Sequence, residues 1–242
     1  MTKAEDYEHI FLQECENTYP AMDEVEKLSG FSIGRARLEE AAAVLACPLK
    51  ANPPNWQHGR LIYSKLRAYI DESEGLPYSF KCLDIGTAKG FSALCAQWAL
   101  DDARADGLVT SVDVIYPLGT ERRNTVAELD GPRTLREILA PWPENARIAF
   151  LRSSGVDYLR KVNNGQRVHF AFVDGKHSAD VVRQEAEMIA DCQMAGDITI
   201  FDDVQIEGVA KAVASINRRE LKYHIRVIEL KDIRKYAVAT RC

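Results

Sequence analysis

The residues in this chain that could do chemistry are acids standing at the ends of apolar runs. Val168 to Val173 leads into Asp174, and Ile198 to Phe201 leads into Asp202 and Asp203. If those runs are neighbouring parallel strands, three carboxylates meet on one rim. Two unit charges about 4 Å apart repel by about 4 kcal/mol even at an effective dielectric near 20. Either one acid keeps its proton or a cation lies between them, and all-oxygen ligands suit a hard ion such as Mg²⁺, Mn²⁺ or Ca²⁺. The competing reading is that Asp174-Gly175 is only a turn and Asp202-Asp203 a solvated loop end. His177 follows Asp174 by three residues, and a histidine on such a rim can take a proton near neutral pH. Otherwise it is an exposed or backbone-bonded residue at a helix start. Lys176 is the rival base, and that role needs its pKa lowered by burial.

A second group lies upstream. Leu83-Asp84-Ile85-Gly86-Thr87-Ala88-Lys89-Gly90-Phe91-Ser92 ends an apolar strand, turns through two glycines and enters a helix. Glycines at such a turn permit positive φ and close approach of a ligand, and the free N–H groups of the helix start favour polar or anionic groups. The spacing is G-x-x-x-G, not the dinucleotide G-x-G-x-x-G. Asp113 follows at roughly the interval where nucleotide-binding α/β folds place an acid on the ribose hydroxyls; the alternative is an Asp that caps the next loop.

The elements that must position these groups read as a doubly wound, Rossmann-like α/β fold. Its sheet is seven-stranded and mostly parallel with an antiparallel edge, because strands and helices alternate from Phe80 onwards. Strands are expected at Lys81 to Ile85, Val109 to Val112, Arg147 to Leu151, Val168 to Val173 and Ile198 to Phe201. Leu221 to Leu230 and Arg234 to Ala239, separated by Lys231-Asp232-Ile233, suit a hairpin. Residues 1–56 read as a helical extension with helices at Lys3 to Gln13, Ala21 to Leu28 and Ile33 to Leu45. This extension is a lid, an oligomer contact or simply a packed support. The loop 50–59 delivers Trp56 and His58, and the irregular section Tyr116 to Gly131 is a candidate active-site loop.

Composition is that of an ordinary soluble protein: 242 residues, 46% hydrophobic, 28% charged and a net charge of -5. That charge gives no global reason to expect nucleic acid as a partner, and no apolar stretch is long enough to cross a membrane. The polar, acidic N-terminus is no secretory signal, so a cytoplasmic location is expected. The six cysteines lack metal-site spacing and read as free thiols.

Taken together, these features resemble class I S-adenosylmethionine-dependent methyltransferases, over about Gln57 to Arg241; residues 57–242 are the expected S-adenosylmethionine-binding domain. Cys82 to Ser92 is similar to the first cofactor motif of catechol and caffeoyl-coenzyme-A O-methyltransferases, and Gly59-Arg60-Leu61-Ile62-Tyr63 is similar to their upstream helix. The resemblance implies that Asp84, Gly86, Gly90 and Ser92 surround the methionine part of the cofactor, with Thr87, Phe91 and Asp174 in the same site. It implies further that Asp113 holds the ribose, that Ser153 or Ser154 lies near the adenine, and that Asp174, Asp202 and Asp203 bind Mg²⁺. The Asp174-x-x-His177 motif is most similar to methyltransferases of natural-product sugars and other hydroxyls. Catechol-type members have Lys at the position of His177 and an Asp-Asn pair later.

The expected reaction is methyl transfer from S-adenosylmethionine to a hydroxyl of a small molecule such as a sugar or phenol, with His177 as base and a divalent cation on the hydroxyl. The segments around Trp56, Gln57 and His58 and after Tyr116 are the candidates for closing the site. Rivals are an NAD-dependent oxidoreductase, a metal-binding hydroxylase-like relative and a non-catalytic relative that keeps the pocket. A homo-oligomer through the N-terminal helices is a further expectation.

Overall fold

The structure is a computed structural model that describes residues 3–47, 54–73, 79–121, 123–162, 166–218, 221–231 and 234–242. Four helices come first: α1 (Lys3–Glu16), α2 (Pro20–Ser29), α3 (Arg35–Leu45) and α4 (Gln57–Glu72). The alternating part then runs β1 (Phe80–Ile85), α5 (Phe91–Asp102), β2 (Gly107–Asp113), α6 (Leu135–Ile138), β3 (Ile148–Arg152), α7 (Gly155–Val162) and β4 (Phe170–Val173). It ends with α8 (Ala179–Asp191), β5 (Ile198–Phe201), α9 (Glu207–Arg218), β6 (Tyr223–Glu229) and β7 (Lys235–Arg241).

The seven strands form one sheet in the order β3-β2-β1-β4-β5-β7-β6. The first five are parallel, and β7 runs antiparallel between β5 and β6. The expected doubly wound sheet with an antiparallel edge is therefore present. Asp232 and Ile233 of the expected hairpin link lie outside the described residues. The order reverses between β1 and β4, and an open α/β sheet has its crevice at such a switch point.

Central strands show no polar alternation because both faces are covered. Phe170, Phe172, Ile198 and Ile200 enter one core with Trp98, Leu94, Leu61 and Leu66. Ala171 and Val173 enter the other with Val182, Ile189, Val209 and Ile216 from α8 and α9. Helix α5 is buried all the way from Phe91 to Leu100, since the sheet lies beneath it and α4 above.

The N-terminal helices join that first core. Met22, Val25, Leu38 and Leu45 are buried in the same cluster as Trp98, and Arg60 of α4 lies 2.6 Å from Asp23 of α2. One detail departs from expectation: Gln57 and His58 open α4 and are not loop residues, because the Asn55 side chain accepts a hydrogen bond from Gln57 N at 2.9 Å and starts the helix there. Residues 50–53 of that expected loop lie outside the described residues. Trp56 is 3% exposed and packs on Phe11 with ring centroids 5.1 Å apart, so its side chain is part of the core.

Candidate active site

The glycine turn connects β1 to α5 at the switch point. Gly86 has φ +100°, and a Cβ there would stand 2.1 Å from the Asp174 carbonyl oxygen, so only glycine lets the β1 and β4 ends meet. Gly90 precedes α5 with φ +83°. Beneath the turn Asp84 is 2% exposed and accepts a hydrogen bond from Ser111 Oγ, which also pairs with Thr87 Oγ1 at 2.6 Å. Burial lifts the Asp84 carboxyl to about 6 against the bonds from Ser111 and Ser92. Asp113 accepts from Ala88 N at 2.8 Å and Ile115 N at 2.9 Å, so it fixes the second half of the turn.

Two cavities flank this junction. The larger, about 680 Å³, is lined by Gly86, Asp113, Ser153, Ser154, Asp174, Lys176 and the α8 residue Glu185. The smaller, about 430 Å³, is lined by His58, Thr87, Phe91, Ser92, Asp174, His177, Asp202, Asp203 and Arg234. Gly86, Ala88, Asp174 and Gly175 border both. Lys176 and His177 thus stand at different cavities, although they are adjacent in sequence. Ser154 bonds Asp157 through Oδ2 at 2.7 Å and its backbone N at 3.1 Å, which ties the start of α7.

His177 Nε2 lies 3.4 Å from Asp174 Oδ1 and 3.3 Å from Asp203 Oδ2. Single ligand atoms from Asp174, His177 and Asp203 lie within 4.8 Å of one another. Asp203 reaches this place with φ +54°, a left-handed backbone unusual for a non-glycine residue. Asp202 faces a different partner, with Arg234 Nη1 3.1 Å from its Oδ2. Burial and the Asp174 charge hold the Asp202 carboxyl well above its ordinary range, with Arg234 opposing them. Burial also raises Asp174, with its bond to His177 acting the other way. That bond, together with the charge of Asp203, raises the His177 pKa.

Three residues of the site went unrecognised in sequence reasoning or took another place there. Arg234 is expected from the sequence only as the first residue of a hairpin strand, whereas in the structure it precedes β7 and lines the smaller cavity. His58 lines the smaller cavity from the first turn of α4, with its ring stacked on Phe172 at 5.7 Å; its buried Nδ1 has no hydrogen-bond partner among the described residues. Burial, reinforced by Arg234 and Lys89, lowers its pKa to about 3, so the imidazole is neutral. Glu185 was legible as a carboxylate within the Val182, Ala186, Ile189 apolar stripe of α8.

The family model described as a methyltransferase domain matches residues 83–204, about half of the chain, from the glycine turn to just past Asp203. The chain belongs to that methyltransferase family. Among curated proteins none matches this sequence. Solved structures share the fold of this methyltransferase. The O-methyltransferase NovP has a TM-score of 0.62 at 14% identity, with 85% of this chain and 98% of that one covered. The O-methyltransferase TomG from Streptomyces achromogenes, involved in tomaymycin synthesis and solved with S-adenosylmethionine, has 0.60 at 16% identity, covering 87% and 92%. An O-methyltransferase from Bacillus cereus in complex with S-adenosylhomocysteine has 0.57 at 13%, covering 93% of each chain. Among the described residues, no helix of this methyltransferase is long and apolar enough to cross a membrane.

Proposed function

We propose that this protein is an S-adenosylmethionine-dependent O-methyltransferase that acts on a hydroxyl of a small molecule, a natural-product sugar or phenol being the class that fits best. The observation that carries the reading is the meeting of the two cavities at Gly86 and Asp174. An elongated cofactor can lie across that junction, with its nucleoside beside Asp113 and its reactive end facing His177. The O-methyltransferase descriptions of the structural neighbours support the reaction class, and the role of TomG in tomaymycin synthesis supports the acceptor class.

S-adenosylmethionine supplies an electrophilic methyl group whose carbon–sulfur bond breaks as the acceptor oxygen attacks. The chain's own residues bind, align and deprotonate. Asp113 holds the ribose hydroxyls, and the Gly86 to Ser92 turn receives the methionine portion. His177, in its neutral form, takes the proton of the acceptor hydroxyl. His58, neutral and without a partner at Nδ1 among the described residues, is the second imidazole that lines this cavity. Alignment of oxygen, methyl and sulfur contributes most of the acceleration in such a displacement.

The donor set fits a divalent cation. Asp174 and Asp203 offer close oxygen ligands, and a hard ion would offset their repulsion. Asp202, expected as a third ligand, is engaged by Arg234 in this conformation. Mg²⁺ held by these aspartates would supply Lewis-acid stabilisation of the developing oxyanion. A second reading has a specific observation behind it: Arg234 already provides the rim with a positive charge, so the guanidinium could serve in place of an ion.

The experiment that tests the whole is calorimetric titration with S-adenosylhomocysteine and, separately, NAD, each with Mg²⁺ and with chelator. It is followed by methyl-transfer assays on a panel of sugar and phenol hydroxyls. Binding of S-adenosylhomocysteine alone, with turnover lost to chelator, is the expected result. Binding of NAD alone overturns the reading, and full turnover in chelator favours Arg234 over the metal.

A further inference from the structure

The larger cavity is lined by a carboxyl group with one buried oxygen that no described residue satisfies. Glu185 is 2% exposed, and its Oε2 has no hydrogen-bond partner among the described residues. No ion pair joins it to Arg160 or Lys176 of the same cavity, and burial alone raises its pKa to about 7. The space it occupies is made by a neighbour. A Cβ on Gly155 would stand 2.3 Å from Glu185 Oε1 and 2.8 Å from Ile85 Cγ2. Glycine at the first position of α7 therefore lets the carboxyl reach the cavity floor between β1 and α7.

A buried polar group without a partner is costly, and native structures seldom keep one unless a ligand or water completes it. Asp113, Ser153 and Ser154 line the same cavity, which His177 does not border. If Asp113 holds a ribose, the group next to Glu185 is the base attached to that ribose. Of the adenine atoms, the exocyclic amino group is the donor that an unsatisfied carboxyl oxygen requires.

We infer that Glu185 is a specificity residue for the cofactor, accepting a hydrogen bond from the exocyclic amino group of adenine at the end of the larger cavity. This assignment rests on the S-adenosylmethionine reading given above. The carboxyl serves as acceptor whether or not it is ionised. Above pH 7 the carboxyl is ionised and can only accept, so a base with a carbonyl oxygen at that position presents acceptor to acceptor and is disfavoured.

The test compares binding at pH 8 of S-adenosylhomocysteine and S-inosylhomocysteine to the wild-type chain, Glu185→Leu and Glu185→Gln, with thermal unfolding run on each to confirm folding. Wild type is expected to prefer the adenosyl ligand by about tenfold or more, the scale of one hydrogen bond to a charged or buried partner. In Glu185→Leu the preference falls to within about threefold, because the leucine cannot distinguish the two bases. Glu185→Gln can turn its amide either to accept from the amino group or to donate to the carbonyl oxygen, so it binds both ligands and its preference falls as well. An adenosyl preference that survives intact in a folded Glu185→Leu overturns the assignment while leaving the cofactor reading in place. Equal binding of the two ligands by wild type does the same. Failure of the wild type to bind either ligand removes the cofactor reading, and the assignment with it.

Discussion

Arg234 Nη1 lies 3.1 Å from Asp202 Oδ2 and 3.3 Å from Oδ1, so the most deeply buried of the three rim aspartates is neutralised from the loop before β7. The Asp202 side chain is 1% exposed and that of Arg234 30%. Removing one member of a buried pair leaves the other uncompensated, at a cost of about 3–5 kcal/mol. Arg234→Gln is therefore expected to lower the thermal midpoint by several degrees. Mg²⁺ is expected to restore more stability to the variant than it adds to the wild type, since an ion can then reach Asp202. A midpoint unchanged by both the substitution and Mg²⁺ would show that the pair contributes nothing.

His177 bridges Asp174 and Asp203 from the turn ahead of α8. As the proton acceptor its removal should affect turnover and leave cofactor binding intact. His177→Ala is expected to reduce kcat by about a hundredfold or more, the lower end for general-base catalysis, with S-adenosylhomocysteine affinity within about threefold of wild type. Steady-state kinetics and calorimetry on the same preparation separate the two effects, and a kcat within twofold of wild type rules the role out.

Glu185 makes stability depend on pH in an unusual direction. Its pKa rises from 4.5 to about 7 on folding, so between these values the native state holds a proton that the unfolded chain has released. Stability then falls as pH rises through this window, by about 1.4 kcal/mol per unit at most, and levels off above pH 7. Glu185→Gln cannot ionise. Its stability relative to wild type should increase from pH 5 to pH 8 by about 2–3 kcal/mol, read from urea midpoints at several pH values. A constant difference across that range would mean that the carboxyl is hydrated in solution.

Gly86 and Gly196 allow a controlled comparison of strain with contact. Both have positive φ, +100° and +92°, but a Cβ on Gly86 meets the Asp174 carbonyl at 2.1 Å while one on Gly196 has nothing within 4 Å. Gly196→Ala should cost about 1–2 kcal/mol from the backbone alone. Gly86→Ala should cost more and should abolish binding of S-adenosylhomocysteine, because the β1 and β4 ends must move apart. Equal thermal shifts for the two variants would contradict the steric argument.

Much of this architecture was legible in the chain. The apolar runs of β1, β4 and β5 and the helical periodicity between them follow from burial on both faces of a parallel sheet, a constraint that acts on every residue of those segments. Asp113, Asp174, Asp202 and Asp203 could be placed at the strand ends for the same reason. Helix α4 starts inside the expected loop 50–59, at Gln57, because that start depends on a single side chain, Asn55, bonding to Gln57 N.

The sequence by itself determined the alternating fold, the glycine turn and the acids that border it, since these depend on local pattern and chain direction. Only the tertiary structure decided how the acids are shared. It paired Asp202 with Arg234 from 32 positions away, set Asp203 with Asp174 beside His177, and divided Lys176 from His177 between two cavities. It also left Glu185 and His58 each with a buried atom that has no partner among the described residues. Those outcomes depend on side-chain reach and packing between elements distant in sequence, where neighbouring residue types carry no information about which partner is met.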